Sequence, residues 1–475
     1  MTHPAPDWQA LRAAIVGEVV LPGSPGYDPA RKPAMARFYD ARPQAIVSCE
    51  TPGDVSETIS FARQSDLRTV PRSGGHCFAG RSSTGGIVID VAPMRSVSVS
   101  GGVATVGAGA RLGEVYDALD GHGLTIPAGC GPDVGISGLA LGGGLGILGR
   151  KHGLTSDHLI GAQVVVADGR VVECDEHRDG GLFWALRGAG GGNFGVVTSL
   201  DFGTLPTPAA TSFRLIWPDT RATTVVEAWQ DWSPVAPDEL AASLLPTASS
   251  DAEEPPMVNV FGAMLGTESD TEVLLDELVA RVGADPTSAT LEHAPYRETK
   301  RYLAEHGPGE DRPNGHQFNK SEFFRRPLPT EAIRALVENL NKGRVPGQSR
   351  ELDFTPWAGA YNRVSPDATA FAHRDELFLL LHVAVVDHDA PPAEREAARV
   401  WLERSWARVR PWGSGGVYPN FPDPDLTDWA RAYHGTNLER LVRIKGRYDP
   451  EGYFGFPQSI PPEECVEGGF REHRV

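Results

Sequence analysis

The sequence predicts an α+β protein built from two regions, the second inserted into the first. Three changes of character along the chain carry that prediction. Glycine clusters and short β-branched runs dominate up to about residue 207. Longer amphipathic helices separated by strand-like runs fill 208–425, and turn-rich chemistry returns over 426–475. The last stretch therefore rejoins the first region, and no internal repeat is visible.

In the first region "AIVSCE" reads as a strand, "DVSETISFARQSD" as a helix opened by an Asp cap, and "LRTVPRS" as a strand. "GGIVIDV", "SVSVS", "GVATVGAG" and "QVVVADGRVVECD" supply further strands. In the second region "TEVLLDELVARVG", "TEAIRALVENLNK" and "AEREAARVWLERSWARV" have helical period. "MVNVFGAML", "FTPWAGAYNRV" and "ELFLLLHVAVV" read as strands between them, and "PTASSDAEEPP" as a flexible insert. A sheet with helices on one face follows, its other face free to roof a ligand.

Charge and composition exclude several classes. Asp and Glu outnumber Lys and Arg by 62 to 44, giving a formal charge of −18 that repels a phosphate backbone, so nucleic acid is not an expected partner. No apolar run approaches the roughly 20 residues of a spanning helix, so no membrane partner is expected. The start, "MTHPAPDWQALRAA", lacks the basic and apolar zones of a secretory signal, and the expected location is the cytoplasm. Cys49, Cys77, Cys130, Cys174 and Cys465 form no CxxC, which argues against a structural metal site or disulfide framework. Oligomeric state is left open.

Three glycine-rich segments, "RSGGHCFAG", "PAGCGPDVGISGLALGGGLG" and "RGAGGGNFGVV", alternate with apolar residues and read as backbone brought close to a ligand. Gly144, Gly146 and Gly149 fit G-x-G-x-x-G, with Asp168 about 20 residues on, as in a dinucleotide fingerprint. The context is wrong for it: "GISGLAL" is too glycine-rich for a buried parallel strand, and Gly153 interrupts the helix that should follow. A diphosphate held by backbone amides outside that fold is the better reading.

The segments "RSGGHCFAG" (72–80), "GPDVGISGLALGGGLG" (131–146), "RGAGGGNFGVV" (187–197) and "YDPEGYFGFPQSIPP" (448–462), in this order, resemble the berberine bridge enzyme-like FAD-linked oxidases of the vanillyl-alcohol oxidase superfamily. The resemblance covers nearly the whole chain. It implies a two-part FAD-binding domain of the PCMH type (1–207 and 426–475) and an inserted substrate domain (208–425) whose antiparallel sheet covers the flavin. It assigns Arg72, Ser73, Gly74 and Gly75 to the pyrophosphate, through main-chain N–H groups, with Gly135, Gly138, Gly142, Gly143 and Gly144 opposite. Gly80, Gly146, Val197 and Tyr453 complete the expected cofactor contacts, and Tyr448 flanks the same final turn.

His76 matches the histidine that relatives bond to the flavin 8α-methyl group. Many relatives add a link from a cysteine in a Cys-Pro-x-Val-Gly segment. Aligned on Val134 and Gly135, that position falls on Gly131, with Cys130 one residue early, so a second link and a plain packed thiol both stay open; Cys77 reads as packing. Val134 falls where relatives gate oxygen, and valine there accompanies oxidase behaviour.

For a base, the resemblance points to Tyr361 and Tyr433, which correspond to a tyrosine pair in some carbohydrate and natural-product oxidases. A phenol with a pKa near 10 needs a nearby positive charge to act at neutral pH, and Lys320 is a candidate. The alternative for Tyr361 is a strand aromatic, and for Tyr433 an aromatic packed beneath the flavin. The expected reaction moves hydride from an alcohol or hemiacetal carbon of a small molecule to the flavin, with molecular oxygen as acceptor. An oxidative cyclase or oxygenase, a dehydrogenase with another acceptor, and a non-catalytic FAD binder are the competing readings.

Overall fold

The computed structural model describes residues 6–305 and 315–463, so Cys465 lies outside the described residues. Four short strands open the chain, in the spatial order Glu18–Val20, Ala45–Ser48, Ile87–Asp90 and Thr69–Arg72. The last three run parallel, as a helix crossover between them demands. That crossover is the helix Pro52–Gln64. Its cap is Thr51, whose hydroxyl accepts from the Asp54 amide, while the Asp54 carboxylate accepts from the Thr51 amide. The sequence pattern points to an aspartate as the cap; Asp54 instead forms the third-position half of a capping box.

A five-stranded antiparallel sheet follows, in the order Val97–Ser100, Val103–Gly107, Val196–Gly203, Leu159–Val165 and Val171–Asp175. Ala104, Val106, Val164, Leu200 and Phe202 of these strands share one apolar core with Val47, Ile59 and Ile89. Asp168 sits in the exposed turn of the hairpin 159–175, paired with Arg170. The segment before Gly144 is a helix, Ile136–Leu141, where the dinucleotide fingerprint needs a strand. The fingerprint is thus a coincidence of spacing, as its context indicated.

The central region forms a seven-stranded antiparallel sheet, in the order 288–295, 209–218, 257–264, 240–248, 349–356, 378–386 and 316–324. The strand read from "FTPWAGAYNRV" ends early, at Pro356, and Tyr361 lies on a short helix, Ala360–Arg363. One face packs under the helices Ala222–Trp232, Glu268–Val282, Thr330–Asn341 and Pro392–Ala407, through Trp229, Leu278, Leu336 and Trp401 against Leu352, Phe354 and Phe378.

The other face turns to the glycine-rich segments. Leu245, Phe261 and Ala263 meet Cys130 and Ile147, while Leu381, Val383 and Val385 meet Phe421. The end of the chain ties back through helix Leu438–Tyr448. Lys445 there is buried, and its ammonium reaches Asp449 Oδ2 at 2.5 Å and the carbonyls of Asn193 and Phe454.

Candidate functional site

Strand Thr69–Arg72 delivers the first glycine motif at its carboxyl end. Arg72 directs its buried guanidinium away from any ligand, donating to the carbonyls of Ser82, Ala30 and Arg31. It therefore braces the loop, and only its main chain is left for a cofactor. Gly74 and Gly135 press backbone to backbone: a Cβ on Gly74 would stand 2.4 Å from the Gly135 amide, and one on Gly135 equally close to Gly74. Ser73 and Ser137 both donate to the Ala108 carbonyl, at 2.8 Å each. The first two motifs are thus clamped side by side rather than set on opposite sides of a ligand. Gly80 has φ +69° and a Cβ there would strike the Phe38 ring, so glycine is required on both counts.

Among the described residues no protein acceptor takes the amides of Gly74, Gly75 or His76. Gly138 beside them is exposed, and a Cβ added there would meet nothing within 4 Å. His76 Nε2 is buried without a hydrogen-bond partner. Burial, with the Arg111 charge second, holds the ring below its ordinary pKa and keeps it neutral. A neutral imidazole retains a nitrogen lone pair, the property a covalent attachment needs. Free donors, open space at a glycine and an imidazole that is held by the Asp133 backbone but keeps Nε2 free together fit a dinucleotide with a reactive ring.

The second half of the glycine-rich stretch does something else. Gly143 donates to Ala140, Gly144 and Leu145 donate to the Tyr418 hydroxyl at 2.9 and 3.1 Å, and Gly146 donates to the Tyr361 hydroxyl at 3.3 Å. Cβ atoms on Gly142, Gly144 and Gly146 would collide with Asn420, Thr155 and the Ala128 carbonyl. Gly142, Gly143, Gly144 and Gly146 are glycine because protein crowds them, which corrects their assignment to the diphosphate. Val197 likewise sits in the core of the five-stranded sheet, and Tyr453 accepts from the Thr69 hydroxyl at 3.1 Å under the Arg63 side chain. Tyr448 donates to Asp179.

Tyr361 is 1% exposed, stacked on Trp357, and its hydroxyl donates to the Gly146 carbonyl at 3.1 Å. Burial drives its pKa far above the ordinary phenol value. Tyr433 packs in a separate cluster, its hydroxyl accepting from the Asp423 amide at 2.8 Å, and burial pushes it up to about 12. Lys320 is no help to either, since it pairs with Asp423 at 2.6 Å and Glu403 at 3.1 Å. The tyrosines do not form a proton-abstracting pair, because burial raises both phenols and each hydroxyl already serves the backbone. Accordingly, Tyr361→Phe should cost about 1–2 kcal/mol of stability in denaturant titration, the value of lost hydrogen bonds to buried groups. It should leave the rate of flavin reduction unchanged.

A residue that the sequence does not single out stands in the right place. Strand Ser349–Pro356 alternates, with Leu352 and Phe354 under the helices, so Asp353 points to the opposite face. In register it lies opposite Leu381, which itself lies opposite Ser321. The pairs 244–354 and 247–351 place Leu245 on its other side. Asp353 therefore stands between Leu245, which packs on Cys130, and Leu381, which packs on Phe421; Phe421 in turn meets Phe78, two residues from His76.

Asp353 Oδ1, Ser321 Oγ, Asn319 Nδ2 and Thr247 Oγ1 are all buried without partners on this face. Burial alone raises the Asp353 carboxyl to about 7. Unmet polar atoms around one carboxyl poised near neutrality make this face the candidate substrate site. Cys130 packs toward the same sheet, and its thiol, raised by burial, lies within range of Lys300, Tyr116 and Tyr296. Lys300 donates to Tyr116 and to the carbonyls of Ala128 and Gly129, fixing the backbone just before Cys130.

The chain is similar to known proteins over almost its whole length. Residues 43–175 match the FAD binding domain family, and 417–461 the family described as berberine and berberine like. The FAD-linked oxidoreductase YgaK of Bacillus subtilis is 33% identical over 95% of this chain and 98% of its own. Glucooligosaccharide oxidase of Sarocladium strictum is 30% identical over 89% of this chain and 88% of its own. The structure of berberine bridge enzyme from Eschscholzia californica superposes with a TM-score of 0.86 at 25% identity, covering 96% of this chain and 99% of that one. With the glycine clamp, the histidine and the roofing sheet in place, the chain belongs to the berberine bridge enzyme-like FAD-linked oxidoreductases.

Proposed function

We propose that this protein is an oxidase that takes hydride from an alcohol or hemiacetal carbon of a carbohydrate or related natural product. In this reading FAD is bonded to His76, oxygen is the final acceptor, and Asp353 accepts the substrate proton. The observation that carries it is the Asp353 carboxyl, raised to about 7 among unpartnered polar atoms on the sheet face turned toward the glycine-rich segments.

When bound, the flavin supplies a two-electron acceptor. The chain supplies the remainder. Gly74, Gly75 and His76 offer amides to the diphosphate, and the neutral imidazole holds the ring in place. Asp353 takes the hydroxyl proton as the carbon becomes a carbonyl, a role that suits a base whose pKa lies near the working pH. Ser321, Asn319 and Thr247 offer hydrogen bonds to further hydroxyls of a polyol. Leu245 and Leu381 flank the carboxyl, with Phe421 packed on Leu381, an apolar setting that favours the neutral acid until substrate binds. Sugar-oxidising relatives support the substrate class, and Val134 agrees with oxygen as acceptor.

Two measurements test the reading. Acid-precipitated protein should stay yellow, with the flavin on the peptide containing His76; release of free FAD would refute the bond. The packing of Cys130 favours a single link, so a crosslinked Cys130 peptide would overturn that part. Mono- and oligosaccharides and alkaloid alcohols should then be screened for anaerobic flavin bleaching, with peroxide assayed on readmitting air. Bleaching without peroxide would point to a dehydrogenase instead.

A further inference from the structure

A polar cavity lies at the edge of the central sheet, where the start of its edge strand meets the first domain. It encloses about 340 Å³ and is lined by Arg37, Asp40, His316, His388, Asp389 and Arg395 among others. Its floor is cationic. Arg37, from the short turn Ala36–Phe38, lies over the Phe318 ring at 4.7 Å. Arg395, from the helix Pro392–Ala407, donates to the His388 carbonyl at 2.9 Å, and its Nε is buried without a partner.

His316 begins the edge strand, is 8% exposed, and lies tilted against the Phe318 ring at 4.8 Å. Among the described residues neither guanidinium is in an ion pair and neither His316 nitrogen has a hydrogen-bond partner. The carboxylates stand at the rim: Asp40 is exposed, and Asp389 is largely in solvent beside His388 at 3.9 Å.

We propose that this cavity binds a small tetrahedral oxyanion, phosphate or sulfate, free or as the phosphoryl group of a metabolite, held jointly by Arg37 and Arg395 and completed by His316. Two planar guanidinium forks from different domains match such an ion; Asp425 and Asp423 act on Arg37 without pairing with it, so both forks keep donors for a ligand. Binding would therefore join the first domain to the edge of the substrate sheet. Nothing in the oxidation chemistry uses these residues.

Proton linkage gives the site a signature. His316 is depressed to about 4 by burial, then by Arg395 and Arg37, with only Asp40 opposing. An anion between the two arginines cancels their effect and raises His316, so binding near pH 6 should draw a proton from solution.

The test is calorimetric titration of the flavin-loaded protein at pH 6 with sulfate, which has no ionisation of its own near that pH, in two buffers of different ionisation heat, against chloride at matched ionic strength; inorganic phosphate is titrated for affinity alone. One saturable site with net proton uptake is expected. Arg395→Gln should weaken it by about tenfold or more, and His316→Gln should bind without taking up a proton. Glycerol phosphate, run in parallel, separates the sources: equal binding indicates a phosphoryl group, weaker binding the free ion. Absence of saturable binding to the wild-type protein overturns the proposal, as does unchanged affinity in a folded Arg395→Gln variant. Should that variant misfold, the wild-type protein decides the matter: proton uptake on sulfate binding that inorganic phosphate competes away supports the site, and sulfate binding without proton uptake overturns it.

Discussion

Asp353→Asn is expected to slow anaerobic reduction of the flavin by substrate about 10²–10⁴-fold, the usual contribution of a positioned base. Asparagine keeps the size and shape of the side chain, so Leu245 and Leu381 on either side should keep their positions. It cannot accept the hydroxyl proton. Flavin content should match the parent, because Asp353 lies on the roofing sheet and not among the residues that hold the cofactor. Reoxidation of the reduced flavin by oxygen should also be unchanged, since no substrate proton is involved. Stopped-flow absorbance separates these steps, and parental reduction kinetics in the variant would remove Asp353 from the chemistry.

Asp449→Ala should produce the largest loss of stability. Asp449 is fully buried, accepts from the Tyr453 and Phe454 amides at 2.7 and 2.9 Å, and pairs with the equally buried Lys445. Removing it leaves an ammonium in the interior with carbonyls alone, a change that costs about 3–5 kcal/mol in buried pairs. The damage has a direction. Lys445 also holds the Asn193 carbonyl, and the Asn193 side chain accepts from the Ile460 amide at 3.1 Å. The third glycine motif and the C-terminal return should therefore loosen together. Urea titration would show the lost stability, and hydrogen exchange should rise around both 190–195 and 453–460. A loss below about 1 kcal/mol, the scale of an exposed pair, would contradict this assignment.

How much of this was legible in the sequence depended on which part of the chemistry was local. That the first two glycine motifs bring backbone into close approach was legible, because their glycines alternate with apolar residues; that Gly74 presses on Gly135, side by side, was not. The failure of the dinucleotide fingerprint was legible too, since "GISGLAL" suits a buried strand poorly and folds as a helix. The roles of Gly142, Gly143, Gly144 and Gly146 were not. A glycine crowded by Asn420 or Thr155 looks, in sequence, the same as one facing a diphosphate.

Tyr361 was misread for a related reason: the groups that occupy its hydroxyl lie 215 residues away in the chain. Asp353 was invisible because "SRELDFTP" shows only alternation. Period two separates the two faces of a strand, but whether the polar face meets water or a cofactor is decided by what packs above it.

The measurement closest to the central claim is the pH dependence of single-turnover flavin reduction at saturating substrate. Asp353 works only as the carboxylate, and burial sets its ionisation at about 7. The rate should therefore fall about tenfold per pH unit below that point and level off above it, as one ionisation requires. In Asp353→Asn the ionisation should vanish. A wild-type rate that stays flat from about pH 5 to pH 8, across the span between an ordinary carboxyl and this raised one, would contradict Asp353 as the base.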